Sequence, residues 1–304
     1  MTQKHNSELD HLTENMWPLF KGWNSVERRK KLTQEEVNFL LSKQSVNPEI
    51  IIDLETWDLV MHELLLSFEC QELLNELKLS TWEILQNIRW LWRTFKVLEK
   101  NIARAFEKLQ RWEKASINIE PEDIIHSEFL NLIQQIPQEY RNLLLIEFIE
   151  SEFIDETHES TSLIISRMKI VQDLGYPIAI DDWYNEDLDH IDTNNRSYKN
   201  LNLLLENNIC PDVIKIEWKV IQDLYNDSKS QDTKLQEHSK IEINKIKSAI
   251  LELRHRIKQD YWKSIIVIWE WIDSFDMWMF AKNSIGADYW QGRDLKQSDF
   301  QINN

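Results

Sequence analysis

Eight short runs of apolar residues are spread along the chain from residue 50 onwards. Most of them are four to seven residues long and rich in Ile, Val and Leu, which predicts buried β-strands rather than helices. The runs cover residues 50–54, 59–68, 116–119, 143–149, 177–180, 213–216, 265–268 and 287–290.

Longer stretches with helical periodicity lie between most of these runs. They predict two helices within residues 73–112, one at 160–174 and one at 241–257. Strands that alternate with helices are typical of parallel pairing, because parallel strands need long crossover connections. Only residues 55–58 separate the first two runs, which predicts an antiparallel hairpin. The pattern therefore predicts an α/β fold, a TIM-like (β/α)8 barrel with an antiparallel first strand.

The N-terminal part of the chain differs from the rest. Thr33, with Glu36 three residues later, has the form of a capping box ahead of an apolar helix face. We expect residues 1–45 to form a helical N-terminal extension and residues 46–304 to form the barrel domain. The polar stretch 184–202 is expected to be a flexible insertion.

Composition and charge narrow the classes of protein. Of 304 residues, 42% are hydrophobic and 29% are charged, which excludes wholesale disorder. The formal net charge is −17, so duplex nucleic acid and anionic membrane are not expected as partners. No apolar run approaches the roughly 18 residues of a membrane span, and the polar N-terminus lacks a signal-peptide core. Cys70 and Cys210 form no disulfide framework, and a cytoplasmic location is expected.

Polar residues lie in or directly after most of the apolar runs. They are Glu63, Asn118, Glu150, Asp181, Asp182, Lys215, Glu270 and Gln291. The carboxyl ends of barrel strands converge on one mouth, where several carboxylates would repel each other strongly. Divalent cations relieve such repulsion, and oxygen ligands select Mg²⁺, Mn²⁺ or Ca²⁺. The pattern therefore predicts a metal site at the mouth of the barrel.

Each of these residues also has an ordinary structural interpretation. One carboxylate at the end of one strand is usually a solvated loop residue or a helix cap. Glu63 could face outward, Asn118 could belong to a turn, and Lys215 could pair with Glu217. The structural interpretation weakens because the same polarity recurs at most of the strand ends.

The order and spacing of these residues resemble the EAL-domain family of cyclic-di-GMP phosphodiesterases, from about residue 49 to 298. Glu63-Leu64-Leu65 is similar to the motif that names the family, with Leu64 in place of Ala. The strongest match is the IAIDD segment at 178–182, which follows Leu174-Gly175. Further segments resemble family strands in the same order: SINI at 116–119, IEFIES at 146–151, PDVIKI at 211–216, VIWEWID at 267–273 and GADYWQG at 286–292.

The resemblance implies hydrolysis of cyclic di-GMP to the linear dinucleotide, assisted by two Mg²⁺ or Mn²⁺ ions. It assigns Glu63, Asn118, Glu150 and Asp181 to one metal ion. Asp181, Asp182 and Glu270 would serve the second ion. Lys215 would orient or deprotonate the attacking water, and Gln291 would hold a water or a ligand.

One residue and one loop differ from the family pattern in ways that imply weakened activity. Ser67 stands where the family has an Arg that contacts substrate phosphate, and residues 183–187 replace a glycine-rich loop. A cyclic-di-GMP receptor with poor catalysis and a degenerate protein-interaction module therefore stay open as alternatives. So does phosphate binding by Arg196 or Lys199 instead of position 67. A homodimer or a protein partner also stays open, because the family's loop supports dimerisation.

Overall fold

The computed structural model describes residues 32–53, 59–68, 84, 88, 94–149, 159–183, 196–270 and 275–292. The strands are β1 (Gln44–Asp53), β2 (Leu59–Phe68), β3 (Ala115–Ile119), β4 (Leu144–Ile149), β5 (Ile178–Trp183), β6 (Val213–Ile216), β7 (Ile266–Trp269) and β8 (Tyr289–Gly292). The helices are α1 (Gln34–Ser42), α2 (Thr94–Leu109), α3 (Pro121–Ile125), α4 (Phe129–Gln134), α5 (Gln138–Arg141), α6 (Glu159–Asp173), α7 (Arg196–Glu206), α8 (Trp218–Lys229), α9 (Thr233–Tyr261) and α10 (Phe275–Ser284).

The eight strands form a closed barrel in sequence order. Strand β1 runs antiparallel to both of its neighbours, β2 and β8, and the other strand pairs are parallel. The predicted barrel with an antiparallel first strand is confirmed. The short connection between β1 and β2 is the reason, because a parallel pair would need a crossover of a dozen or more residues.

The two faces of the strands pack into different cores. Alternate side chains point into the barrel, where Ile51, Met61, Leu145, Ala179, Val213 and Ile268 form an inner cluster. The intervening side chains, such as Ile146, Phe148 and Ile214, point outward and are buried beneath the surrounding helices. This alternation fixes which polar side chains enter the barrel.

Five of the described turns that lead from a helix into the next strand contain a residue with positive φ. These residues are Trp112, Gly175, Asn208, Trp262 and Gly286, with φ of 62°, 95°, 58°, 57° and 84°. Gly and Asn are the usual residues at this left-handed position after a helix. A left-handed Trp carries a backbone cost, and neither Trp side chain is buried.

The capping box, the predicted helices at 160–174 and 241–257 and one of the two helices within 73–112 are confirmed, and one prediction is wrong. The other helix predicted within 73–112 lies mostly outside the described residues. Thr33 Oγ1 accepts a hydrogen bond from Glu36 N at 3.2 Å, while Glu36 Oε2 accepts one from Thr33 N at 2.8 Å. Residues 196–202 of the expected flexible insertion lie in helix α7 instead. The physical reason is an apolar helix face at Leu201, Leu204 and Leu205, which is buried against the barrel core.

Helix α9 and strand β1 both extend beyond the residues predicted for them. Helix α9 is 29 residues long and exceeds the predicted helix 241–257 at both ends. Strand β1 begins at Gln44, and the proposed domain boundary after residue 45 stays a prediction. Among the described helices, none combines the length and the apolar character that crossing a membrane requires.

Candidate functional site

Eight polar side chains point into the barrel, seven of them from strands and one, Glu270, from the residue directly after β7. This polar set consists of Glu49, Glu63, Asn118, Glu147, Asp181, Lys215, Glu270 and Gln291. Most of its members lie two residues from an apolar residue of the inner cluster on the same strand, as Glu147 does from Leu145 and Lys215 from Val213. Because side chains alternate with a period of two, the members share the inward face. Seven of the eight are buried, and Asn118 is half-buried.

Lys215 is the centre of the polar set. Its fully buried Nζ donates to Glu147 Oε2 at 2.8 Å and to Glu63 Oε2 at 2.9 Å. Nζ also lies 2.6 Å from Glu270 Oε1 and 3.4 Å from Asp181 Oδ1. Four carboxyl groups, three from the strands β2, β4 and β5 and one from the residue after β7, therefore converge on one ammonium group.

This arrangement keeps Lys215 charged. Burial alone lowers the pKa of the ammonium, but the attraction of Asp181, Glu147, Glu270 and Glu63 outweighs it. The pKa of Lys215 is consequently raised well above its usual value. A permanently protonated lysine can donate hydrogen bonds and orient a water molecule, but it cannot accept a proton. Orientation is thus the better supported of the two roles considered for Lys215.

The same surroundings favour the neutral form of Glu147, whereas they favour the charged form of Lys215. Complete burial is the largest cause and repulsion from Glu63 the second, and together they raise the pKa of its carboxyl group to about 8, although Lys215 acts in the other direction. The group is therefore largely protonated at neutral pH. With Glu147 neutral, the set still has four other carboxyl groups, Glu49, Glu63, Asp181 and Glu270, against one ammonium group.

Two amide side chains are fixed by carboxylates within the set. Asn118 Nδ2 donates to Glu63 Oε1 at 2.9 Å, and Gln291 Nε2 donates to Glu49 Oε2 at 3.0 Å. Each amide therefore directs its oxygen away from the carboxylate that it contacts. Three oxygens of the set, Asn118 Oδ1, Glu147 Oε1 and Gln291 Oε1, are buried without a hydrogen-bond partner in the described part of the structure.

The polar set offers the kind of donor atoms that a hard divalent cation selects. These atoms are carboxyl and amide oxygens, which Mg²⁺ and Mn²⁺ prefer, and the set carries excess negative charge. Within the described ranges, no three His, Cys, Asp or Glu side chains are placed to hold a metal ion. Lys215 stands between the carboxylates there, while Glu150 and the side chain of Asp182 lie outside the described part.

The structure brings most of the predicted site residues together. Glu63, Asn118, Asp181, Lys215, Glu270 and Gln291 belong to the polar set. Asp182 follows Asp181 in β5, and Glu150 lies outside the described residues. Ser67 lies on β2 opposite Ser45.

Two members of the polar set, Glu49 and Glu147, were not predicted. Glu147 stands inside an apolar strand, at the same two-residue spacing as Leu145. Glu49 stands two residues before the inward Ile51. Strand periodicity applied inside each run, rather than at its end, would have found both residues.

Comparison with solved structures identifies the fold, whereas comparison of sequences identifies no family. No protein-family model and no curated protein sequence matches this chain. Solved structures of EAL domains, however, superpose on most of it. The EAL enzyme Bd1971, bound to cAMP and cyclic di-GMP, matches with a TM-score of 0.61 at 17% identity, over 93% of this chain and 66% of that one. The chain has the EAL-domain fold.

Two further structures give the same result. Vibrio cholerae LapD, an S helix–GGDEF–EAL protein bound to cyclic di-GMP, matches with a TM-score of 0.59 at 17% identity, over 86% of this chain and 57% of that one. The phosphodiesterase PaMucR in complex with cyclic di-GMP matches with a TM-score of 0.58 at 14% identity, over 85% of this chain and 93% of that one. The chain thus spans less than two thirds of the first two proteins and nearly all of the third.

Proposed function

We propose that this chain is a metal-dependent phosphodiesterase that hydrolyses cyclic di-GMP to the linear dinucleotide, with weakened activity. The observation that carries the proposal is the convergence of Glu63, Glu147, Asp181 and Glu270 on Lys215 inside an EAL-type barrel. The superposable structures in complex with cyclic di-GMP support the choice of ligand.

Mg²⁺ or Mn²⁺ would be held by oxygen ligands of the barrel mouth. The ligands would be Glu63, Asn118, Glu150, Asp181, Asp182 and Glu270, arranged as a two-metal site. Such ions lower the pKa of bound water and stabilise the charge that develops on a phosphoryl oxygen. The excess of carboxyl groups and the open oxygen of Asn118 support this assignment.

The chain's own residues would then orient the reactants. Lys215, held protonated by its carboxylate partners, can donate a hydrogen bond to the attacking water or to the phosphodiester. Gln291 would contact a water or the ligand through Oε1, because its Nε2 is bonded to Glu49. Ser67 in the place of a phosphate-contacting Arg is the reason to expect weak substrate binding.

A cyclic-di-GMP receptor with poor catalysis is the second candidate. The observation in its favour is Lys215 itself, because metal ions would have to compete with an internal cation for three of their proposed ligands, Glu63, Asp181 and Glu270. A protein-interaction module that no longer uses the nucleotide is the third. Turnover separates the first candidate from the other two, and nucleotide binding separates the second from the third.

The deciding experiment is incubation of the purified protein with cyclic di-GMP and either Mg²⁺ or Mn²⁺. We expect slow formation of the linear dinucleotide that stops when the metal is chelated. Glu63→Ala and Asp181→Ala should remove turnover without unfolding the protein. Glu242→Gln, which changes a buried glutamate of α9 outside the barrel, should not alter turnover and serves as the matched control. Absence of turnover with intact nucleotide binding would favour the receptor.

A further inference from the structure

Glu49 stands at a special place in the barrel. It belongs to β1, the strand that runs antiparallel to both neighbours, and its side chain is 6% exposed. Its register partner on β2 is Glu63, and its hydrogen-bond partner on β8 is Gln291. Glu49 therefore lies between β2 and β8, with a predicted metal ligand on one side and a predicted water-binding residue on the other.

The chemistry of Glu49 decides how the Gln291 amide is turned. An ionised carboxylate only accepts hydrogen bonds, whereas the amide offers a donor at Nε2 and an acceptor at Oε1. With the two side chains 3.0 Å apart, the reverse orientation would place two acceptors against each other. Nε2 consequently faces Glu49, as the observed hydrogen bond shows.

The other side of the amide is left open by the same contact. Gln291 is 1% exposed, and its Oε1 has no hydrogen-bond partner among the described residues. A buried carbonyl oxygen without a partner is costly, and native proteins rarely keep one unless a water, an ion or a ligand completes it. Because Oε1 can only accept, that group must be a hydrogen-bond donor or a cation.

We propose that Glu49 is a positioning residue that holds the Gln291 amide so that its carbonyl oxygen, and not its NH₂ group, serves the site. The orientation itself follows from the geometry. Its use in catalysis rests on the proposed phosphodiesterase function. Gln291 then binds a donor, such as a water molecule, or a cation, and it does not donate to a substrate phosphate oxygen.

The orientation can be tested without substrate by ¹⁵N NMR on the full chain with selectively labelled glutamine. The Gln291 NH₂ signals are identified by their loss in Gln291→Leu. In the wild type we expect their protons to exchange with solvent at least tenfold more slowly than those of exposed glutamines. Exchange as fast as that of exposed glutamines would overturn the proposal with no need for a Glu49 variant.

Two substitutions at position 49 separate orientation from packing. Glu49→Gln keeps the size but adds a donor, so the Gln291 amide can turn and its NH₂ signals should shift. Glu49→Asp is shorter but still only accepts, so the signals should stay closer to those of the wild type. If packing alone mattered, Glu49→Gln would behave as the wild type and Glu49→Asp would be the disturbed variant, which would overturn the proposal. Glu242→Gln is the control and should leave the Gln291 signals unchanged.

A functional readout then tests the use of the oriented amide. With Mn²⁺ and cyclic di-GMP, Glu49→Gln should lower kcat about tenfold, the value of one hydrogen bond, and Glu49→Asp should lower it less. Equal rates for wild type and Glu49→Gln would refute the catalytic part of the proposal. If the wild type shows neither turnover nor binding, the proposed function fails, and the NMR result still decides whether Glu49 orients Gln291.

Discussion

At the scale of single residues, the polar set combines a lysine that stays charged with a glutamate that tends to stay neutral. Both side chains are buried beside the same charges, and burial disfavours the charged form of each. For Lys215, the attraction of four carboxyl groups outweighs this effect. Glu147 has one cation and several carboxyl groups near it. The site therefore carries a proton at a position where ordinary glutamates are ionised.

This proton predicts a pH dependence of stability. The pKa of Glu147 is about 8 in the folded protein and near 4.5 in the unfolded chain, so the folded state binds the extra proton between these values. Its contribution is fully present below about pH 4.5 and is lost as the pH rises through 8, by at most about 1.4 kcal/mol per pH unit. Glu147→Gln should flatten this part of the curve. Urea unfolding from pH 5 to 9 with chelator would check it, and parallel curves for both proteins would contradict it.

Ser67 supports a second prediction at this scale. Ser67→Arg would restore a planar cation that can hold two phosphate oxygens, and affinity for cyclic di-GMP should rise about tenfold to a hundredfold. Titration calorimetry with Ca²⁺ in place of the activating metal would measure binding without turnover. Arg196→Ala is the comparison, because Arg196 begins α7 and could supply the phosphate contact instead. Unchanged affinity in Ser67→Arg with a loss in Arg196→Ala would contradict the role given to position 67.

At the scale of elements, the turns between helices and strands follow one rule with two exceptions. Gly175, Asn208 and Gly286 occupy left-handed positions as expected, whereas Trp112 and Trp262 occupy the same kind of position with a large side chain. The two tryptophans differ in their contacts. The Trp112 indole lies 5.4 Å from the Tyr140 ring between centroids, while the Trp262 side chain is 91% exposed.

This difference makes a matched pair for a stability test. Trp262→Gly should raise the free energy of unfolding by about 0.5–1 kcal/mol, because it removes the left-handed cost and loses little packing. Trp112→Gly should gain less or lose stability, since the contact with Tyr140 is removed as well. Chemical denaturation of both variants would measure this. A loss in Trp262→Gly equal to that in Trp112→Gly would contradict the argument.

At the scale of the whole molecule, the polar set is one concentrated part of an acidic chain whose formal net charge is −17. Repulsion among buried carboxylates is a cost that a bound divalent cation would relieve. The barrel should therefore respond to Mg²⁺ or Mn²⁺ as a unit, because the carboxyl groups come from strands on all sides of it.

The predicted response is a metal-dependent increase in stability. Mn²⁺ at about 100 times its dissociation constant should add roughly 2.7 kcal/mol to the free energy of unfolding. Thermal unfolding with Mn²⁺, against NaCl of equal ionic strength as the control for screening, would measure it. Glu63→Ala should lose the increase. An unchanged melting temperature in millimolar Mn²⁺, together with no measurable metal binding, would rule out the metal site.

The sequence by itself determined the strand order of the barrel, the antiparallel first pair and six members of the polar set. Apolar runs separated by helical stretches allow few topologies, and a short β1–β2 connection allows only a hairpin. The tertiary structure alone decided that Lys215 lies among four carboxyl groups and that Gln291 donates to Glu49. These features depend on strand register and on contacts between residues such as Glu63 and Lys215, which lie far apart in the chain and meet only when the barrel closes.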